Sequence, residues 1–361
     1  MRSKLPAKHR ALAALVGVGL TSLSLPSAGH EPDPSKYSYW KDVYPILRDR
    51  CAGCHIPGGA GPMSLFRYEE AFPWAAAIKM EVLEGRMPPW LPEEGQGEHR
   101  GERRLTANEI EVLVDWAIGG APEGARPLSP PVLEAESGWK LGEPDRVLEP
   151  TEESRLSAAE VERTHCWVAS IENRRPIWVS AIDFRPGNPG IVRAARVDLG
   201  GSCPVGPGTR PLLTWAPAQE PFPLPQQAAE LLPKNARLAV TIHYRKSWRD
   251  DGKELRDRSR VGLYFARTHR RLEARHVERS SWRTEEDIEL LSVFPDFSEG
   301  EPIQIDALLP DGETLPLLQI RTVRPEWLTK YFFRKPLRLP GGSEIRVSPP
   351  GAWFEHFRTR E

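Results

Sequence analysis

Cys51, Cys54 and His55 stand in the run Cys51-Ala52-Gly53-Cys54-His55, the spacing that attaches a c-type haem. The chemistry needs this order. Two thiols two residues apart can meet the two vinyl groups along one porphyrin edge, and the adjacent imidazole then lies under the iron. Other uses of two such thiols need other surroundings. A thioredoxin-like redox pair needs a βαβ context that the flanks do not suggest. Half a zinc site needs a second pair nearby, whereas the next cysteines are Cys166 and Cys203.

A methionine thioether opposite histidine is a common c-type arrangement and raises the reduction potential. Beyond Met1 the chain has only Met63, Met80 and Met87. Met87 lies in Arg86-Met87-Pro88-Pro89-Trp90, where two prolines stiffen the backbone and remove amide donors, and it is the expected axial ligand. Met63 follows His55 closely and would have to round the porphyrin edge quickly. Met80 falls inside a helical pattern, where core packing is the ordinary role. The alternative for Met87 is a loop anchor, with water or His99 on the iron.

These residues need helices to position them. Tyr39, Trp40, Val43, Ile46 and Leu47 recur at helical spacing just before Cys51, so one helix can bury a face and deliver the thiol. A second helix is expected from about Tyr68 to Leu83, with Trp74, Ile78 and Val82 on one stripe and Gly85 as its stop. The third should start at Thr106, with Glu109 completing a capping box, carry Ile110, Leu113, Val114 and Ala117 inward, and end at Gly119-Gly120. So small a core leaves much apolar burial to the haem, and the haem-free protein is expected to fold poorly.

The segment from Tyr39 to about Glu123 resembles the class I cytochrome c domain. The resemblance rests on the Cys51 to His55 site, the Met87-Pro88-x-Trp90 loop and the Leu105-Thr106-x-x-Glu109-Ile110-x-x-Leu113-Val114-x-Trp116 helix, about a quarter of the chain. It implies a small all-α domain, here 36–121.

After a Pro-rich linker at 122–137, strand-like runs alternate with turn signals such as Arg185-Pro186-Gly187-Asn188 and Pro310-Asp311-Gly312. Leu238, Val240, Ile242 and Tyr244 occupy every second position, as do Ile303, Ile305, Ala307 and Leu309. Period two without a long helical stretch argues for a β-sandwich. The runs Gly138 to Asp145, Phe184 to Asn188 and His243-Tyr244, behind a haem domain, resemble bacterial proteins that fuse a cytochrome to copper type II, ascorbate-dependent monooxygenase-like domains related to peptidylglycine hydroxylating monooxygenase. That resemblance implies an all-β tandem, jelly-roll-like sandwich region, 138–268 and 269–361, with one copper in each half and electrons supplied by the haem.

The implied ligands are mostly missing. The first copper's His-His pair falls at Arg193-Ala194, and only His243 remains of its three histidines. The second copper's His-x-His pair falls in Pro295-Asp296-Phe297-Ser298, and no methionine follows Met87. Copper needs imidazole or soft sulfur donors, and a cation beside a lone imidazole opposes binding. Retained copper is therefore not expected. His165, His269, His276 and His356 share no ligand spacing and read as surface or hydrogen-bonded core residues. Cys166 and Cys203 are expected to form a disulfide in an oxidising compartment, the alternative being two buried thiols. From Arg245 to Arg283 basic residues outnumber acidic ones about two to one. This stretch reads as a solvated hairpin loop with internal ion pairs, or as a docking patch for an acidic redox partner.

The chain has 361 residues, 49 Lys+Arg against 50 Asp+Glu, a net charge of -1, and 39% hydrophobic residues. That balance gives no pull toward nucleic acid and excludes wholesale disorder and a polytopic membrane protein. The 37 prolines, about twice the ~5% average usage, favour short strands and turns. Arg2, Lys4, Lys8 and Arg10 precede an apolar run from Ala11 to about Leu25 and then Ser27-Ala28-Gly29. This is the pattern of a signal peptide over 1–29; the run is short for a membrane anchor, the alternative. The expected whole is a periplasmic or otherwise exported monohaem cytochrome that passes single electrons to or from a redox partner protein, with no membrane span once the signal is cleaved. Its β region would serve docking or assembly. The rival is a haem-coupled copper monooxygenase rebuilt around His243 and Asp296.

Overall fold

Alternating apolar residues and helix-capping signals sort the chain into an N-terminal helical region and a larger β region. The computed structural model describes residues 34–129, 138–206, 209–224, 228–267, 270–296, 301–324, 327 and 329–358. The expected signal segment lies outside them. Among the described residues no helix is long and apolar enough to cross a membrane.

A π-helical turn, Tyr39–Val43, runs into α1, Tyr44–Arg50. Pro45 sits in the first turn, where its missing amide costs nothing. The second expected helix is broken into α2, Tyr68–Ala71, a 3-10 turn over Phe72–Trp74, and α3, Ala75–Leu83, because Pro73 cannot donate to the helical ladder. Gly85 takes a left-handed φ of 63° just past α3, a conformation that favours glycine. α4 spans Ala107–Ile118, and both halves of the Thr106–Glu109 capping box form. Its buried face is Val112, Leu113 and Trp116, so Val114 is not part of the inward stripe. These helices enclose one core around Tyr39, Leu47, Leu113 and Trp116. Pro122 and Glu123, expected to open a linker, belong to this core instead. Their carbonyls accept from the Tyr39 and Trp40 amides, and Trp116 Nε1 donates to Pro122 O. Residues 130–137 of the linker lie outside the described residues.

The β region holds two sandwiches, each with its own core. In the first, one sheet runs Arg146–Leu148, Arg260–Phe265, Ile177–Arg185, Ala228–Leu232 and Arg270–Arg271, and the facing sheet runs Glu162–Ser170, Arg237–Arg245, Val192–Leu199 and Pro211–Trp215. Val179, Val261 and Leu263 from one sheet meet Val197, Val240 and Ile242 from the other. The Cys166–Cys203 disulfide is present, with Cα atoms 5.7 Å apart. In the second sandwich, Glu273–Val277, Ala352–Arg358, Ile288–Pro295 and Tyr331–Leu339 face Ser281–Arg283, Glu344–Ser348, Ile303–Leu308 and Thr314–Ile320. The basic stretch after Arg245 is not a hairpin loop. It includes strands of both sandwiches, and its ion pairs include Lys253–Asp250 and Arg256–Glu254.

The two sandwiches are tied through Lys330, whose amide donates to Thr214 Oγ1 and whose ammonium donates to Pro211 O, Leu212 O and Glu355. Arg196 donates to Asp296 at 3.1 Å. Between α3 and α4, residues 90–100 lie against the second sandwich, where Trp90 and Leu91 pack on its core, before Leu105 rejoins the helical core.

Candidate cofactor site

A cavity of about 470 Å³ opens between the helices and the first sandwich, lined also by Arg324 and Trp327 from the second, within the ~300–1,000 Å³ range of ligand sites. The end of α1 builds one side. Cys51 caps that helix, its amide donating to Leu47 O, and the Cys54 and His55 amides both donate to Cys51 O. The turn so formed places Cys51, Cys54 and His55 all on the cavity wall. Leu47, Trp74, Ile78, Val82, Leu105 and Leu113 supply apolar surface.

Burial raises both thiols: Cys51 is pushed up to about 12, and Cys54 is raised although Arg103 and Arg193 oppose the shift. Both are therefore neutral thiols near pH 7, unlike the low-pKa thiolates of dithiol redox catalysts. Burial also lowers the pKa of His55, against the opposing carbonyl of Met63. His55 Nδ1 lies 3.2 Å from that carbonyl. With the proton on Nδ1 donated to Met63 O, Nε2 keeps its lone pair free for a metal, the arrangement usual for ligating histidines. Gly61 packs on the imidazole so closely that a Cβ there would stand 2.6 Å from Nδ1.

Met87 and Met63 both line the cavity, but the Met63 backbone is held on the His55 side by that hydrogen bond. Met80 is 51% exposed and is not part of the wall. His99 is 2% exposed and sits against Tyr331 and Phe333 of the second sandwich, away from the cavity lining.

The lining is strongly cationic, with seven Lys and Arg side chains against the single carboxylate of Glu81. Three of the cations face carboxylates locally, Arg50 with Glu109, Arg86 with Glu81 and Arg245 with Glu162 at 4.0 Å. Arg103 and Arg193 are different, because burial lowers the pKa of each. Arg103 donates to Pro217 O. The register between Val192–Leu199 and Arg237–Arg245 shifts across Arg193, and such bulges re-aim side chains. Arg193 donates through Nη2 to Gly190 O, while its buried Nη1 has no partner among the described residues. An apolar floor with a cationic surround fits a flat, largely apolar macrocycle that carries anionic substituents.

His243 also lines this cavity. Its Nδ1 shares a hydrogen bond with Thr164 Oγ1 at 3.3 Å, and Nε2 lies 3.3 Å from Glu162. Ala194 is its cross-strand partner. Asp296 accepts from Arg196 and lies 4.0 Å from His276 Nε2; Phe297 and Ser298 lie outside the described residues. No contact joins His243 to Asp296 among the described residues, and no three His, Cys, Asp or Glu side chains there could together hold a metal ion. His276 stacks on Trp353, His356 packs beside Trp282, and His165 lies on a strand of the first sandwich. His269 lies outside the described residues. Sequence reasoning missed Gly61, Arg103 and Arg193 as cavity residues. The glycine-rich run after His55 was a usable signal for the first, Arg193 was marked only as the place of the resembled family's histidine pair, and nothing local marks Arg103.

No known protein family matches this chain, and no curated protein matches it. Among solved structures, it is similar at 10% identity to A223, a turret protein of Sulfolobus turreted icosahedral virus, over 60% of this chain and 100% of that one, with a TM-score of 0.15. A fucolectin from striped bass (Morone saxatilis) serum aligns at 10% identity over 58% of this chain and 86% of that one, with a TM-score of 0.18. Likenesses this slight carry no argument about fold or function.

Proposed function

We propose that the chain is an exported monohaem c-type cytochrome that transfers single electrons, with a monooxygenase-like β region that no longer ligates copper. The observation that carries this reading is one cavity that gathers Cys51, Cys54, His55 and Met87, with His55 oriented by the Met63 carbonyl. Each thiol would add across one vinyl group, leaving two thioethers and no leaving group. His55 Nε2 and the Met87 thioether would hold the iron. A haem bound there supplies one iron that alternates between ferric and ferrous states, and a thioether ligand favours the ferrous one. The surrounding apolar side chains would limit water at the iron, and the half-buried guanidiniums would also favour its more reduced state. The partner is another exported redox protein, and the β region serves docking or assembly.

The test is simultaneous haem, iron and copper quantification on purified full-length protein, with intact mass before and after acid extraction. One covalently retained haem per chain is expected, made extractable in Cys51→Ala/Cys54→Ala. A wild type without covalent haem refutes the reading, and stoichiometric copper after dialysis would favour a rebuilt monooxygenase.

A further inference from the structure

We propose that the second β-sandwich is the clamp that holds the Met87 loop, and that His99 is its positioning residue. The inference rests on the haem reading above and concerns what fixes the axial thioether. The connection from α3 to α4 exceeds the ~12–15 residues beyond which an irregular loop is unusual and tends to be functional. Left to itself, a loop this long would present its methionine at a low effective concentration. Here it is stitched to the second sandwich instead. The Glu93 amide donates to Gln319 O, Arg100 N to Phe332 O and Arg334 N to Glu98 O, each at 2.8 Å. His99 forms a bridge with Phe333, its ring stacked at 5.2 Å, and Tyr331 meets both His99 and Trp90 edge-on. Gly97 closes the seam. Its φ is 85°, and a Cβ there would strike both Leu317 O and the His99 ring.

The stretch just after Met87 is held by the second sandwich, since Trp90 and Leu91 pack on that core, and only Leu105 returns to the helical one. Met87 therefore stands between an anchor in α3, where its amide donates to Glu81 O, and an anchor in another folded body. Releasing the second anchor should free the thioether without touching His55, Cys51 or Cys54.

Full-length ferric holo-protein would be titrated with imidazole, which competes with an internal thioether, and its reduction potential and methionine-to-iron charge-transfer band recorded. In His99→Ala and Gly97→Ala the imidazole affinity should rise at least about tenfold, the potential fall and the band weaken. His99→Phe, which keeps a stacking ring, should restore the wild-type values. Phe333→Leu, a change made wholly within the second sandwich, should act like His99→Ala and serves if the latter does not fold. Folded variants with wild-type affinity, band and potential overturn the clamp while leaving the haem reading intact. A wild type lacking any thioether band removes the axial assignment of Met87 itself, and the clamp with it.

Discussion

Gly61→Ala is the sharpest perturbation of the proposed iron site, because it adds one carbon and no charge. A Cβ at Gly61 would lie 2.6, 2.8 and 2.9 Å from Nδ1, Cγ and Cε1 of His55. Ordinary contact begins near 3.4 Å, so the ring or the 61 backbone must move by about 0.8 Å. The backbone has little room, since the Gly61 amide donates to Cys54 O at 2.8 Å within the attachment turn. The imidazole is the part that can yield. Its bond to Met63 O is already 3.2 Å long, so such a shift breaks it. Overpacking of this kind costs about 1–3 kcal/mol, and the lost hydrogen bond about another 1 kcal/mol. For a unit the size of the helical region each kcal/mol lowers the melting temperature by roughly 4–8 °C. Misaligned by most of an ångström, His55 should bind iron more weakly, raising the high-spin fraction. The assay is a thermal melt with absorption spectroscopy on ferric and ferrous holo-protein. Unchanged melting, spin state and potential in Gly61→Ala would show that His55 is not held against this glycine as an iron ligand.

Two further outcomes follow from groups outside the cavity. Burial depresses the His99 pKa to about 4, against the opposing Leu317 carbonyl, while an unfolded histidine titrates near 6.5. The fold thus favours neutral His99, and its contribution, about 3 kcal/mol, is full above pH ~6.5 and lost as pH falls toward 4. Urea unfolding of wild type and His99→Phe between pH 7 and 4 checks this, and parallel curves would refute it. Replacing Cys166 and Cys203 by Ser opens a loop with a sequence separation of 37, which chain entropy values at roughly 4 kcal/mol. Denaturant melts should show that loss, and an unchanged midpoint would mean the crosslink adds nothing to stability.

Local signals carried the helical region well. The capping box at Thr106 and Glu109 formed as expected, and the stripe through Tyr39, Val43 and Leu47 is fully buried. Strand alternation was equally legible: Ile303, Ile305 and Ala307 are completely buried, because a one-residue slip would turn them all outward. What the sequence hid depends on contacts between distant segments. Pro122 reads as the start of a linker, yet its carbonyl accepts from the Tyr39 amide, more than eighty residues upstream. Arg245 to Arg283 reads as one charged loop because periodicity cannot show that a chain passes from one sandwich into the next. The same holds for the site. Spacing alone placed Cys51, Cys54 and His55 together, but the arrival of Arg193 and His243 on the same wall required the first sandwich to dock against the helices.

That docking changes the physical meaning of Arg193. A guanidinium has no lone pair to offer copper and stays charged in proteins, so this strand position cannot ligate metal. A half-buried cation whose Nη1 has no partner among the described residues is costly on its own. The cost falls when the cavity holds a group bearing negative charge, and Arg103 near the same cysteine edge adds to the effect. Helices and first sandwich therefore share an interface whose cationic lining would be offset by the anionic macrocycle proposed for it. The close approach of Gly53 to Ala218, where any Cβ on residue 53 would collide, couples the attachment turn to that interface directly. The first sandwich is thus part of the cavity wall, and a haem proposed there would touch both the helices and that sandwich.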